Sequence, residues 1–327
     1  MAKMYLNRAI ARAVDEEMNR DENVILLGCD IQNVGGGMSV FMGVPQKHPD
    51  RCFDMPLSES GYTHFANGMA LAGARPIVDL MFSDFSTIAS DAIINGASKV
   101  GLNTLGQKHC PTVYIMGNGG RGTYGGFGSG CNHSQCSESW FANVPGLKIL
   151  TPYYPADALG LLKSAIRDED PVIFMYHEGS LGVSGEIPED QDAIPINDAA
   201  NILKEGEDIT IVAVQSMVPI AMKAAGLLEE KGIHAEVIDP RVLVPLDEKK
   251  LIASAKKTGH VIVVHEAPRR GGFGGEIAST IAEGCNGDNI KICRIGGKNA
   301  PIASGPLEYY LVPKVDDIVK AAEELLK

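Results

Sequence analysis

Two kinds of hydrophobic pattern alternate along the chain. Short, wholly apolar runs are typical of strands buried on both faces of a parallel sheet. In the first half these runs are residues 24–28, 77–81, 112–116, 147–150 and 172–175. Longer segments with apolar residues at helical spacing precede or separate these runs, such as 6–18, 87–100 and 156–166. Strands that alternate with helices of this length predict βαβ units and a parallel sheet.

The second half repeats this alternation. Predicted strands cover 209–214, 235–238, 261–264 and 291–295, and predicted helices cover 219–231, 247–257, 275–283 and 314–326. Residues 185–197 (GEIPEDQDAIPIN) are acidic, contain proline and show no period, which is typical of a linker. We therefore predict two α/β domains, each a mostly parallel sheet flanked by helices. The domains are expected at 1–184 and 198–327.

Net charge narrows the range of partners. Forty-one acidic residues against 29 basic ones give the 327-residue chain a formal charge of −12. This disfavours nucleic acid and anionic membranes as partners and favours a basic protein. No apolar run reaches the roughly 18 residues that a membrane span needs, and residues 1–20 lack the apolar core of a signal peptide.

The seven cysteines, an odd number at irregular spacings, indicate reduced thiols in a cytoplasmic protein. Cys131 and Cys136 flank a histidine, but their spacing fits no common zinc pattern.

The stretch 53–85 carries the first candidate chemistry. A turn-rich loop presents one carboxylate, Glu59, before a helical run of small residues, and a buried strand then ends at Phe82 and Phe85. An acid on a loop beside the end of a strand is typical of a small-molecule site in an α/β protein. Glu59 alone can equally be a residue that stabilises the helix N-terminus.

A glycine-rich loop, 117–132, carries the second candidate. It lacks the lysine ending of a P-loop and the glycine spacing of dinucleotide folds. A loop this long in a compact domain is usually functional or disordered, and this one leads to His133. We predict an active-site loop that presents His133.

Motifs spread over almost the whole chain resemble one family. They are LSESG (57–61), AGARP (72–76), MFSDF (81–85), HSQ (133–135), VPGLK (144–148), AIRD (165–168), VIDPR (237–241) and HEAPR (265–269). In this order they resemble the β subunit of thiamine-diphosphate-dependent 2-oxo acid dehydrogenase E1 components, which include pyruvate, branched-chain and acetoin dehydrogenases. The resemblance implies a transketolase-like pyrimidine-binding domain and a transketolase C-terminal-like domain.

The resemblance also implies roles for particular residues. Glu59 matches the carboxylate that binds a ring nitrogen of the cofactor's aminopyrimidine, and His133 matches a histidine that faces the substrate. The apolar residues that match the aminopyrimidine walls are Leu57, Met81 and Phe85. Ile166 and Asp168 resemble a loop whose carbonyl oxygens hold a monovalent cation such as K⁺.

Half of the family's cofactor site is absent from the sequence. Members of this cofactor class bind the diphosphate through Mg²⁺ with a Gly-Asp-Gly motif and a later asparagine, and 287–289 is the nearest approach to it. By resemblance, an α subunit in an α₂β₂ assembly supplies that half. The C-terminal domain resembles one that pairs β subunits and docks an E2 acyltransferase, whose lipoyl domain accepts the acyl group. The acids 316, 317, 323 and 324 suit a basic E2 segment or a solvated helix face equally well.

One position departs from the family pattern. After the first strand the family usually has glutamate, whereas this chain has Cys29, followed by Asp30. A thiol carries the same charge at neutral pH only if its pKa is strongly lowered.

Three functions stay open on sequence alone. The first is an E1 β subunit that decarboxylates a 2-oxo acid, with pyruvate as the leading candidate, or that cleaves acetoin. The others are one half of a split transketolase and a non-catalytic scaffold.

Overall fold

The fold comes from a computed structural model that describes residues 2–120 and 129–327. Contacts divide the chain into two compact units. Unit 1 comprises Met1–Asn118 and Trp140–Ile196, and unit 2 comprises Gly119–Ser139 and Asn197–Lys327.

The strands follow the apolar runs closely. They are β1 (Ala2–Tyr5), β2 (Val24–Gly28), β3 (Cys52–Asp54), β4 (Arg75–Phe82), β5 (Val113–Asn118), β6 (Lys148–Leu150), β7 (Val172–His177), β8 (Ser184–Ile187), β9 (Asn201–Lys204), β10 (Ile209–Ala213), β11 (Ala235–Asp239), β12 (Val242–Val244), β13 (His260–Pro268) and β14 (Lys291–Gly297).

The α-helices are α1 (Leu6–Arg20), α2 (Ile31–Val34), α3 (Val44–Lys47), α4 (Glu59–Leu71), α5 (Val100–Asn103), α6 (Glu138–Ala142), α7 (Pro155–Arg167), α8 (Met217–Glu229), α9 (Glu248–Thr258), α10 (Gly274–Gly284) and α11 (Val315–Leu325).

The main sheet of unit 1 is parallel. Its strands run in the order β6-β7-β5-β4-β2-β3, and all of these pairs are parallel. Strands β2, β5 and β7 are buried along their whole length, which explains why they are apolar on both faces. Helix α1 packs on α7, and Glu17 of α1 accepts two hydrogen bonds from Arg167 of α7, at 2.6 and 3.0 Å.

Unit 2 contains a smaller sheet in the order β14-β13-β10-β11-β9. Strands β14, β13, β10 and β11 pair in parallel, and β9 joins the edge of β11 antiparallel. Helices α8 and α11 pack against each other. Each unit therefore has the mostly parallel sheet flanked by helices that the sequence predicts.

Three features differ from the sequence prediction. The single helix expected over 87–100 is replaced by a 3-10 turn (Ser83–Thr87), a π-helical stretch (Ala92–Ala97) and the short α5. Strand β8 begins at Ser184 and extends into the expected linker, and it pairs antiparallel with β1, a pairing between residues about 180 positions apart. Five strands were not predicted, namely β1, β3, β8, β9 and β12. Each is only three or four residues long, so its own residues carry a weak signal.

Candidate functional site

The carboxyl edge of the unit 1 sheet contains a topological switch point. From β2 the chain continues to β3 on one side, whereas from β4 it continues to β5 on the other, so the crevice opens between β2 and β4. Open α/β sheets bind ligands at such a point. Cys29, Met81 and the loop before Glu59 all lie at these strand ends.

Glu59 is the first residue of α4, and only 7% of its surface is exposed. A carboxylate at this position interacts favourably with the helix dipole, as expected if Glu59 stabilises the N-terminus of the helix. Within residues 2–120 and 129–327, no group donates a hydrogen bond to its carboxylate, and no cationic side chain forms an ion pair with it. A nearly buried carboxylate without such a partner is available to a ligand that donates a hydrogen bond.

The predicted apolar wall residues lie on two segments of this edge. Met81, near the end of β4, is 8% exposed and has a left-handed backbone with φ of 60°. Phe85 follows β4 and packs edge-to-face on Phe82, with ring centroids 5.5 Å apart. Leu57, just before α4, is 80% exposed in this chain. The sheet edge thus carries all three residues and Glu59.

Cys29 does not replace the family's acid electrostatically. Burial, followed by the nearby carboxylates of Glu59 and Asp79, raises the pKa of its thiol to about 11. The thiol is therefore neutral at physiological pH. The adjacent Asp30 is exposed and has a left-handed backbone with φ of 55°.

His133 belongs to unit 2 and is half-buried. The base of its loop is closed by a hydrogen bond from Gly119 N to Gln135 O, at 3.0 Å. Residues 121–128 of the predicted active-site loop lie outside the described residues.

Glu266 at the end of β13 holds the start of this loop. Its Oε1 accepts the N–H of Gly120 at 2.8 Å, and its Oε2 accepts the hydroxyl of Ser216 at 2.5 Å. A carboxylate that accepts two hydrogen bonds is a strong local anchor. No pattern in the sequence predicts this role for Glu266, whose only local signal is an acid at the end of an apolar strand.

We predict that Glu266→Ala speeds amide hydrogen exchange at Gly119 and Gly120 by about tenfold to a hundredfold, because a charge-assisted hydrogen bond is lost. Mass spectrometry of short peptides measures this directly. Glu266→Gln, which keeps one acceptor for the Gly120 N–H, should have a smaller effect, and Glu283→Ala on the exposed face of α10 should have none. Unchanged exchange in Glu266→Ala would refute the anchoring role.

Ile166 and Asp168 lie at the opposite, amino-terminal edge of the unit 1 sheet. Their carbonyl oxygens accept hydrogen bonds from Arg75 Nη1, at 3.3 and 2.9 Å. The Asp168 carboxylate binds Lys148 Nζ at 2.6 and 2.8 Å. Arg75 and Lys148 are therefore the cationic side chains that contact these oxygens in the described part of the chain, and the binding of a monovalent cation here stays a prediction.

Arg75→Met should lower the free energy of unfolding by about 2–4 kcal/mol, because it removes a guanidinium that also binds Glu169 and leaves two carbonyls without donors. Urea denaturation monitored by the fluorescence of the single tryptophan, Trp140, measures the change. Lys47→Met removes only an exposed ion pair with Asp15 and should cost less than about 1 kcal/mol. An equally small effect in both variants would contradict the structural role of Arg75.

Within the described ranges, no group of three or more histidine, cysteine, aspartate or glutamate side chains is arranged to hold a metal ion. No helix found there combines the length and apolar character needed to cross a membrane.

Two family matches cover the chain. Residues 2–183 match the family described as transketolase, pyrimidine binding domain, and residues 198–318 match transketolase, C-terminal domain. A solved structure titled "Split gene transketolase, inactive beta4 tetramer" superposes with a TM-score of 0.79 over 99% of this chain and 98% of that chain, at 24% identity. The fold therefore defines a chain of the transketolase type with two domains.

Curated relatives narrow this class. The rice (Oryza sativa subsp. japonica) mitochondrial pyruvate dehydrogenase E1 component subunit beta-2 is 40% identical over 98% of this chain and 86% of its own length. The beta subunit of acetoin:2,6-dichlorophenolindophenol oxidoreductase from Cupriavidus necator is 38% identical over 99% and 98% of the two chains. The 2-oxoisovalerate dehydrogenase subunit beta of Bacillus subtilis is 38% identical over 99% of both.

The chain belongs to the family of E1 β subunits of 2-oxo acid and acetoin dehydrogenases. The family supports thiamine diphosphate as the cofactor, an oxidoreductase role, and a heteromeric enzyme with an α-subunit partner.

Proposed function

We propose that this chain is the β half of an E1 enzyme that decarboxylates a 2-oxo acid with thiamine diphosphate and passes the acyl group to a lipoyl group on an E2 acyltransferase. The observation that carries the proposal is Glu59, a nearly buried carboxylate at the switch point to which no described residue donates a hydrogen bond. We place the working domains at 1–184 and 198–327, joined by the linker 185–197.

The residues at this edge fit the aminopyrimidine of the cofactor. Thiamine diphosphate supplies the carbanion chemistry when it is bound. Glu59 would accept a hydrogen bond from a ring nitrogen, a bond that is strong in a site shielded from water. Met81 and Phe85 would wall the ring, and Leu57, exposed in the single chain, would be covered by the cofactor. His133 would face the substrate, where an imidazole can stabilise a carboxylate or relay a proton.

We propose an α subunit in an α₂β₂ assembly as the source of the missing Mg²⁺-diphosphate half. The absence of a Gly-Asp-Gly motif from this sequence supports the proposal. The E2 subunit-binding and lipoyl domains are the further partners. We propose the cytoplasm as the compartment, because its reducing conditions suit the seven cysteines, all of which are free. The name of the rice relative places that protein in mitochondria.

Pyruvate is the first substrate to test. The names of the relatives add acetoin and 2-oxoisovalerate as alternatives. A split transketolase that acts on sugar phosphates is the remaining enzymatic alternative.

The test is an assay of this chain co-expressed with the proposed α subunit, with thiamine diphosphate, Mg²⁺ and an artificial electron acceptor. A clear preference for pyruvate supports the proposal, and a preference for acetoin or 2-oxoisovalerate keeps the enzyme class and changes the substrate. No turnover of any of the three, with the cofactor bound, would contradict the dehydrogenase. Turnover of a sugar phosphate would then establish the transketolase alternative, and activity with lipoyl-E2 in place of the artificial acceptor tests the acyl transfer.

A further inference from the structure

A second carboxylate lies deeper in the same sheet edge. Asp79 is the single charged residue in the apolar interior of β4, and 1% of its surface is exposed. Its Oδ1 accepts the N–H of Met81 at 3.0 Å, and the backbone N–H of Gly37 also stabilises its charge. Its Oδ2 has no hydrogen-bond partner among the residues that the structure describes. Hydrogen bonds therefore offset only part of the free-energy cost of burying the charged Asp79 carboxylate.

No cationic side chain of the described residues forms an ion pair with Asp79. From the end of β2 it faces the Cys29 thiol, and from α4 the Tyr62 phenol and Glu59 share its surroundings. Tyr62 donates to the Asp79 backbone carbonyl, at 3.2 Å, rather than to the carboxylate. The paired residue on β5, Ile115, is apolar. Burial accordingly raises the pKa of the Asp79 carboxyl to about 7.

The sheet itself does not require an acid at this position. An apolar residue of similar size in a buried strand avoids the desolvation of a charge and often gives equal or greater stability. A destabilising buried group beside a crevice is a candidate for a functional role. The contacts of Asp79 identify that role.

Asp79 fixes an irregular turn of the backbone at Met81. An L-residue with φ of 60° is disfavoured by about 1 kcal/mol or more, so Met81 needs local support. An aspartate that accepts the N–H two residues later gives this support. The regular β4–β5 register is interrupted between Asp79 and Phe82, where Met81 turns.

Two glycines pack against this turn without spare room. A Cβ atom added at Gly36 would lie 2.3 Å from Asp79 Oδ2, and one added at Gly37 would lie 2.7 Å from Met81 Sδ. The carboxylate thus joins the glycine turn after β2 to the Met81 turn at the end of β4. These are the two strand ends that flank the crevice.

We propose that Asp79 is a positioning residue whose carboxylate holds Met81, and with it one wall of the crevice, in the geometry that binds the cofactor. The identity of the bound molecule rests on the proposed function, whereas the hold on Met81 does not. Protonation of Asp79 weakens its ability to accept the two N–H groups, so the Met81 turn loosens as the pH falls through neutrality.

The first experiment tests the hold on Met81 without any cofactor. The chain is labelled with ¹³C at its methionine methyl groups and studied by NMR in its purified assembly between pH 5.5 and 8.5. Met81→Leu assigns the Met81 signal among the 12 methionines. We expect the Met81 methyl shift to titrate with a midpoint near pH 7 and to be flat in Asp79→Asn. A flat wild-type signal, or an unchanged titration in Asp79→Asn, would overturn the proposal.

The second experiment measures the consequence for the cofactor. In the enzyme assembled with its α subunit, Asp79→Ala should raise the Kd for thiamine diphosphate at least about tenfold and leave kcat at saturating cofactor within about threefold. Asp79→Asn, which keeps an acceptor for the Met81 N–H, should restore the Kd to within about threefold of wild type. An unchanged Kd in Asp79→Ala would overturn the role in cofactor binding.

Glu17→Gln is the matched control for this second experiment. Glu17 is a buried acid of the same unit that pairs with Arg20 and Arg167, so its loss should lower stability and leave the Kd unchanged. If the wild-type enzyme binds no thiamine diphosphate, the proposed function fails, and the NMR titration still decides whether Asp79 positions Met81.

Discussion

Turnover of the assembled enzyme is expected to fall by at least about 100-fold when Glu59 is replaced by glutamine, while the fold is retained. The amide has the same shape as the carboxylate but lacks its charge, and it can present a donor where an acceptor is needed. Loss of a positioned acid–base group typically costs a factor of about 10² to 10⁴ in rate. Steady-state decarboxylation with an artificial electron acceptor measures the loss.

The alternative, purely structural role of Glu59 predicts a different result for the same variant. If Glu59 only stabilises the N-terminus of α4, the glutamine variant should lose less than about 1 kcal/mol of stability and keep its activity. Glu17→Gln should show the opposite behaviour, with lower stability and unchanged kcat. Activity of Glu59→Gln within severalfold of wild type would remove Glu59 from the catalytic assignment.

The stability of unit 2 is expected to fall on acidification because of His265. Only 2% of its surface is exposed, and neither ring nitrogen has a hydrogen-bond partner within the described part of the chain. Gly272, Gly274 and Gly296 enclose the ring so closely that an added Cβ would clash with it or press against it. Burial, followed by repulsion from Arg294, lowers the pKa of His265 to about 4 from an ordinary value of 6.5.

The sign of the pH dependence follows from these two pKa values. Below about pH 6.5 the unfolded chain takes up a proton that the folded chain does not bind until about pH 4. The free energy of unfolding therefore decreases as the pH falls through this window, by about 3 kcal/mol at most, and is unaffected above it. The Asp79 carboxyl of unit 1 has the opposite effect on stability. Its pKa is raised from 3.8 to about 7, so it lowers the free energy of unfolding as the pH rises.

Hydrogen exchange of the β13 amides, corrected for intrinsic rates, measures the His265 effect between pH 4.5 and 7. We expect His265→Asn to lower the stability of unit 2 at every pH, because it weakens the packing. We also expect the slope of the opening free energy against pH to decrease by the equivalent of about one proton. His64→Asn, at an exposed histidine of α4, is the control and should leave the β13 slope unchanged. A wild-type slope in His265→Asn would show that another group causes the acid sensitivity.

The sequence by itself determined the fold class and the family. The apolar run 24–28 and the helical pattern 6–18 are local signals, and they correspond to β2 and α1 because the period of side-chain burial is set by the backbone geometry of each element. The motifs from LSESG to HEAPR identified the E1 β family that the comparisons show. The sequence also placed Glu59 before a helix and beside strand ends.

Tertiary structure alone decided how the titratable groups behave. The thiol of Cys29 stays protonated because burial, followed by the nearby carboxylates of Glu59 and Asp79, raises its pKa. Arg75 covers the carbonyls of Ile166 and Asp168 from a distance of more than 90 residues, which no local pattern could indicate. In the sequence, Asp79 is one polar residue in an apolar strand. Only the folded sheet shows that its carboxylate holds Met81 beside the crevice. Local periods fix secondary structure, whereas desolvation and long-range hydrogen bonds exist only once distant segments are packed together.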